Sequence, residues 1–165
     1  MTAVRRKKPG RATTLPAGKR FWERKPLSAM TPAEWESLCD GCGRCCLHKL
    51  EDAATGEVYY TNVACRLLDI HGARCRAYAQ RMRLVADCLV LSPERVAQFH
   101  WLPATCAYRR LAEGKPLPAW HPLVSGDPEK VHETGVSVRG KALSEKFISL
   151  DQLEAYILSP HSDEP

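Results

Sequence analysis

Leu38-Cys39-Asp40-Gly41-Cys42-Gly43-Arg44-Cys45-Cys46 places four thiols within eight residues, in a CxxCxxCC pattern. Two residues between cysteines let one tight turn aim both sulfurs at a common point, the geometry that tetrahedral zinc or an iron–sulfur cluster requires. Gly41 and Gly43 supply the turn, since glycine tolerates positive φ and brings backbone amides close to the sulfurs. The stretch therefore specifies a metal site. A reaction is a separate matter, on which it is silent.

Outward from this loop, four more cysteines follow at Cys65, Cys75, Cys88 and Cys106, separated by nine, twelve and seventeen residues. The second set does not repeat the first. Adjacent side chains point apart, so Cys45 and Cys46 are expected to face different centres. On this reading Cys39, Cys42 and Cys45 hold one centre with a distant fourth ligand, and Cys46 joins the downstream cysteines at another. The CxxCxxC opening is like that of a ferredoxin but lacks the spaced fourth cysteine followed by proline.

Composition bounds the rest. A chain of 165 residues, 44% hydrophobic and 26% charged, suits one globular domain with tails. No apolar run reaches the ~20 residues of a membrane span. The basic N-terminus has no apolar segment of the secretory kind, so the expected location is cytoplasmic, a reducing compartment. There eight cysteines read as metal ligands; in a secreted chain the alternative would be disulfides. The net charge is +5, and residues 1–25 carry +8 of it, leaving −3 for the remainder. Residues 1–20 are read as a disordered basic leader rather than a nucleic-acid arm, because the body has no basic surface interleaved with stacking aromatics.

Along the chain, Thr31-Pro32-Ala33-Glu34 predicts a capped helix running into Cys39, with Trp35 and Leu38 on its packed face. Leu47 to Leu50 and Val58 to Val63 predict a β-hairpin around the turn at 52–56, returning Cys65 to the first cluster. Leu67, Leu68 and Ile70 read as core, and His71-Gly72-Ala73 as a turn towards Cys75. Further short helices are expected over 77–85, from Ser92-Pro93-Glu94 to before Pro103, from Cys106 to Gly114, and over 127–134. Residues 116–140, rich in Pro, Gly and His, should wrap the body, anchored by Trp120 and a histidine. Residues 149–165 read as a C-terminal helix and tail, with Leu150, Leu153, Tyr156, Ile157 and Leu158 as the apolar face. The expected fold is a small α+β domain of short helices, one hairpin and long irregular segments, with residues 21–148 as the cysteine-cluster domain.

The blocks Cys39 to Cys46, Val63-Ala64-Cys65-Arg66-Leu67-Leu68-Asp69, Cys75-Arg76-Ala77-Tyr78, Phe99-His100-Trp101-Leu102-Pro103, Thr105-Cys106-Ala107-Tyr108-Arg109 and Ala119-Trp120-His121-Pro122-Leu123 resemble the YcgN branch of the bacterial YkgJ-type cysteine-cluster family. The resemblance covers roughly residues 21–145. It implies a zinc- or iron-chelating domain to which all eight cysteines belong. A related cluster is associated with a flagellin lysine methylase, where it resembles an iron–sulfur site; this chain shows no methyl-donor motif.

Among other candidates, His121 and His132 read as packed core histidines with auxiliary ligation as the alternative. His48 is placed to hydrogen-bond a sulfur, and His71 and His100 read as structural. Glu51-Asp52 and Asp127-Pro128-Glu129 read as turn caps rather than acid–base pairs. No phosphate-binding loop, nucleophile elbow or other catalytic motif is present. Three functions remain: an iron protein, with an iron–sulfur cluster or mononuclear ions, serving redox, sensing or metal handling; a structural-zinc module that binds a protein partner through residues 116–140; and an iron-dependent enzyme with an open position beside His121 or His132.

Overall fold

A computed structural model describes residues 20–98 and 100–158. Residues 1–19 of the basic leader, Phe99 and the last seven residues of the expected tail lie outside the described residues. Helices are short: α1 (Phe21–Arg24), α2 (Pro32–Ser37), α3 (Arg81–Leu84), α4 (Ala107–Ala112), α5 (Pro122–Ser125) and α6 (Lys130–Glu133). Isolated helices of this length are unstable in water, so tertiary packing holds them. The fold is a small α+β domain.

The expected hairpin is β1 (Leu47–Glu51) with β2 (Val58–Ala64), antiparallel. Its turn is built by Asp52, whose Oδ1 accepts from the amides of Ala54 and Thr55 at 2.8 and 2.9 Å. Glu51-Asp52 is thus a turn and no acid–base pair. A two-stranded unit, β3 (Leu68–Asp69) and β4 (Arg74–Cys75), puts Leu68 opposite Cys75. Unforeseen is β5 (Leu143–Ser144), which pairs in parallel with the end of β2.

Buried side chains form three small clusters. Trp22, Trp35, Leu38, Leu102, Ala107 and Tyr108 lie at the heart of the helical one. Leu47, Tyr60, Ala64, Leu68 and Val138 make the sheet-side cluster, and Cys42, Val131 and Val136 the third. The CxxCxxCC loop joins all three, with Leu38 in the first, Cys42 in the third and Cys46 packed on the second. Its course therefore decides how the clusters sit together.

Three helix expectations are corrected. Residues 92–98 give turns and one 3-10 turn (Val96–Gln98) in place of a helix reaching Pro103. Leu91 offers its carbonyl to the Trp35 indole at 3.1 Å, and Val96 is drawn into the helical cluster; these tertiary contacts outcompete a short helix. At the C-terminus, Leu150–Tyr156 is a 3-10 helix whose Ser149 makes no cap bond. Ile157 bridges Thr61, and the Leu158 amide donates to the Tyr60 carbonyl at 2.7 Å. At three residues per turn the apolar positions no longer share a broad face, and Leu150 stays 53% exposed while Leu153 is buried. Over 77–85 the expected helix is split into a 3-10 turn (Tyr78–Gln80) and α3.

Candidate metal centre

Helix α2 sets the approach to the cysteine loop. Thr31 Oγ1 accepts from the Glu34 amide at 3.3 Å, and Glu34 Oε2 accepts from the Thr31 amide at 2.9 Å, a complete capping box. At the other end Tyr108 Oη donates to the Trp35 carbonyl at 2.9 Å and its ring lies 4.6 Å from the Trp35 ring. The contact ties α2, which Cys39 follows, to α4, whose N-cap is Cys106. Both thiols act on Tyr108 electrostatically.

Gly41 and Gly43 adopt φ of +77° and +73°. At Gly43 a side chain has no room, since a Cβ would stand 2.8 Å from Val138 Cγ2 and 3.3 Å from the Ala73 carbonyl oxygen. Val138 also donates its amide to the Cys42 carbonyl at 2.9 Å. Residues 136–138, part of the expected wrapping segment, thus clamp the loop from outside.

The same turns aim backbone amides at sulfur. Gly41 N–H faces the Cys39 thiol, Arg44 N–H the Cys42 thiol, and Tyr108 and Arg109 N–H the Cys106 thiol. Leu67 N–H donates to Cys65 Sγ at 3.5 Å. In each case the amide two residues on meets the cysteine, an arrangement that stabilises a thiolate.

All eight cysteines are free thiols. Cys39 keeps exposed surface, yet the atoms packed around its sulfur push the thiol up to about 12, with Cys45 and Asp40 adding to the effect. Burial likewise raises Cys106 to about 12 and drives Cys42 well above its ordinary value. Cys45 and Cys46 act as a pair. The Cys46 S–H donates to Cys45 and lowers it to about 7, while Cys46 itself is pushed upward by that bond, by burial and by Cys45, Cys65 and Cys75.

The electrostatic neighbours sort the thiols. Cys39 and Cys42 both feel Cys45 and Asp40, and Cys106 feels the same two groups. Tyr60 stands beside Cys42, Cys45 and Cys106. Cys46 feels Cys45 first and then Cys65 and Cys75, and Cys88 feels Cys65, Cys75 and Cys45. Backbone geometry agrees: the Cys65 amide donates to the Cys46 carbonyl at 2.9 Å, and Arg66 reaches across to the Leu84 carbonyl, holding α3 and the segment bearing Cys88 near the Cys65 turn.

Lys49 is the cation that sequence reasoning missed. It donates to the Cys45 carbonyl at 3.0 Å, and its ammonium lies 5.0 Å from the Tyr60 ring and 4.9 Å from the Trp101 ring. Burial lowers it to about 8, and the thiolates of Cys45 and Cys46 work against that fall. A cation at every second strand position is ordinary, so only the fold reveals its neighbours.

The histidines take other roles. His121 Nδ1 accepts from the Leu123 amide at 3.1 Å, which leaves the proton on Nε2 for the Leu38 carbonyl at 3.0 Å; neither nitrogen is free for metal. His132 Nδ1 meets Ser137 Oγ at 2.7 Å. His48 pairs with Glu145 and not with a sulfur, because β5 brings that carboxylate alongside β1 and β2. Asp127 Oδ1 caps the Glu129 amide at 2.9 Å and Glu129 pairs with Arg139 at 2.7 Å, so these carboxylates are structural.

Among the described residues no three His, Cys, Asp or Glu side chains stand in an arrangement that holds a metal ion; the thiols are neighbours without converging on one point. The donor set nevertheless fits zinc or iron, being rich in sulfur, backed by amides and flanked by the half-buried Lys49. No helix among the described residues is long and apolar enough to cross a membrane.

The family described as "CxxCxxCC: Putative zinc- or iron-chelating domain" matches residues 38–107, a span that includes all eight cysteines. A UPF0260 protein of Cellvibrio japonicus is 59% identical over 138 residues, covering 84% of this chain and 94% of the relative. One from Marinobacter nauticus is 56% identical over 138 residues, covering 84% and 93%. One from Rhizorhabdus wittichii is 63% identical over 127 residues, covering 77% and 87%. No solved structure matches.

Proposed function

The chain belongs to the UPF0260 family of CxxCxxCC cysteine-cluster proteins, and on that footing we propose that it binds iron through two thiol centres in a redox, sensing or metal-handling role. Cys39, Cys42, Cys45 and Cys106 form one centre; Cys46, Cys65, Cys75 and Cys88 form the other. The observation that supports this division is where the backbone brings the downstream cysteines: the Cys65 amide donates to the Cys46 carbonyl at 2.9 Å and Cys75 follows on the β3–β4 unit, while Tyr60 stands beside Cys42, Cys45 and Cys106.

The protein's own groups have definable tasks. Amides at Gly41, Arg44, Leu67 and Tyr108 stabilise thiolate charge, and Lys49 offsets the negative charge that gathers at Cys45 and Cys46. Iron in such a setting would supply a one-electron redox change, whereas zinc would supply a cross-link alone. Iron is favoured because Cys39 and Cys45 remain exposed, which suits electron or metal exchange better than a closed structural site does.

The zinc-stapled interaction module has less support. Residues 116–140 are spent on the protein itself, with His121 and Val131 fully buried and Trp120 packed on the third cluster. An iron enzyme with an open position beside His121 conflicts with the two bonds that occupy its ring.

The test is elemental analysis of anaerobically purified protein, with Cys106→Ser and Cys75→Ser alongside. Iron that falls by one centre in either variant and by both in the double variant supports the reading. Zinc alone would move it to the structural module. Absence of metal, or complete loss from a single substitution, would overturn the two-centre proposal.

A further inference from the structure

We propose that Cys46 and Cys65 are an oxidisable pair that closes a cross-strand disulfide in the metal-free protein. The pairing comes from the hairpin and does not rest on the reading that these thiols bind metal. It does not follow from the cysteine pattern either, in which the two residues belong to different sets.

Strands β1 and β2 set the distance. Leu47 stands opposite Ala64 in their antiparallel ladder, so the same register carried one residue outward sets Cys46 opposite Cys65. The bonding does reach that far, because the Cys65 amide donates to the Cys46 carbonyl at 2.9 Å. Opposed residues joined in this way have Cα atoms about 5.5 Å apart and side chains on one face. Disulfides span Cα separations of about 4.4–6.8 Å, so the backbone holds the pair at bridging distance. Both residues are half-buried free thiols, open to a small reagent.

Among the described residues no other cysteine stands opposite a second one in a ladder. Cys75 faces Leu68 across β3 and β4. The rival partner is Cys45, to which Cys46 donates its S–H. Consecutive residues are joined through a trans peptide, however, and the small ring that an S–S bond would close there strains both the peptide and the disulfide.

Glutathione disulfide is an oxidant of the required class. The thiolate of one cysteine attacks a sulfur of the reagent, whose S–S bond breaks and releases one glutathione thiolate. The thiolate of the other cysteine then attacks the protein sulfur of the mixed disulfide, which forms the Cys46–Cys65 bond and releases the second glutathione thiolate. Two protein thiols are oxidised with loss of two electrons, the reagent is reduced, and the two protons pass to the released thiolates. If Cys46 and Cys65 are also metal ligands, as proposed above, the bond closes their centre to metal until it is reduced.

The test equilibrates metal-free full-length protein with glutathione buffers, alkylates the remaining thiols and maps the product after trypsin, which cuts beyond Arg44, Lys49 and Arg66. The expected product carries two fewer alkyl groups than the eight cysteines of the reduced chain and links residues 45–49 to residues 50–66. The link should persist in Cys45→Ser and vanish in Cys46→Ser. It should also form at least about tenfold more readily in folded protein than in urea, because the hairpin raises the local concentration of one thiol at the other. The wild-type map requires no variant to fold. A different dominant pairing there, a Cys45–Cys46 bond included, would overturn the inference, as would a link equally frequent in urea or a glutathione adduct that never resolves. Zinc added before the oxidant separates the two readings: if the thiols are ligands it slows the link, and an unchanged rate with zinc bound would remove the pair from the metal centre while leaving the disulfide in place.

Discussion

His121 donates its Nε2 proton to the carbonyl of Leu38, 83 positions earlier, at 3.0 Å, and both residues are fully buried. The bond fixes the last carbonyl before the cysteine loop from a segment that has little regular structure of its own. The histidine that reads from the sequence as a packed core residue, with ligation as the alternative, is a buried strut just ahead of Cys39.

Replacing that strut leaves a buried carbonyl without a donor. His121→Ala is expected to lower stability by about 2–3 kcal/mol, from the unsatisfied group and the lost ring volume. Urea unfolding of metal-free protein measures this. His121→Gln, which can still donate an amide, should recover part of the loss; equal losses in the two variants would mean that the bond contributes nothing.

The same residue carries a pH dependence. Burial lowers the His121 pKa from 6.5, opposed by the Leu38 carbonyl and the Asp40 charge. The folded protein therefore holds this ring neutral, and below pH 6.5 the unfolded chain binds the extra proton. The stability that His121 contributes is complete above pH 6.5 and declines as pH falls towards the folded value. The slope of unfolding free energy just below pH 6.5 should be steeper in wild type than in His121→Gln.

Gly43 and Gly56 share a positive φ, at +73° and +71°, but only Gly43 faces close neighbours. Gly56→Ala should cost about 1 kcal/mol for the left-handed backbone alone. Gly43→Ala adds the clash with Val138 and should cost about 2–4 kcal/mol. Paired denaturation curves separate the two terms, and similar costs would show that residue 138 yields freely.

Metal removal should loosen the whole molecule, because the cysteine loop joins three small clusters that share few other attachments. Chelation is expected to lower the melting temperature by about 10–20 °C, corresponding to roughly 5 kcal/mol at this chain length. Scanning calorimetry of loaded and stripped protein measures it. An unchanged melting temperature would show that the clusters hold one another without the ligands.

Local signals in the sequence were legible where local physics decides them. The capping box at Thr31 and Glu34, the hairpin turn at Asp52, the left-handed glycines at 41 and 43, and the α4 start at Cys106 all depend on residues within a few positions of one another. The failures were nonlocal. Ser92-Pro93 begins a helix by every local rule, yet Leu91 and Val96 are claimed by Trp35 and its cluster. The apolar run at 150–158 follows a helical pattern, yet pairing with Tyr60 and Thr61 draws it towards β2.

By itself the sequence determined that four thiols are gathered within one turn, because CxxCxxCC spacing with glycines constrains sulfurs there. It left open which neighbours each thiol meets. Only the tertiary structure decided which neighbours those are. Helix α4, with Cys106 at its start, is tied to α2 because Tyr108 packs on Trp35 and bonds its carbonyl, and Cys65 joins Cys46 because the hairpin closes; both depend on contacts between distant residues, whose formation is governed by packing rather than by spacing along the chain.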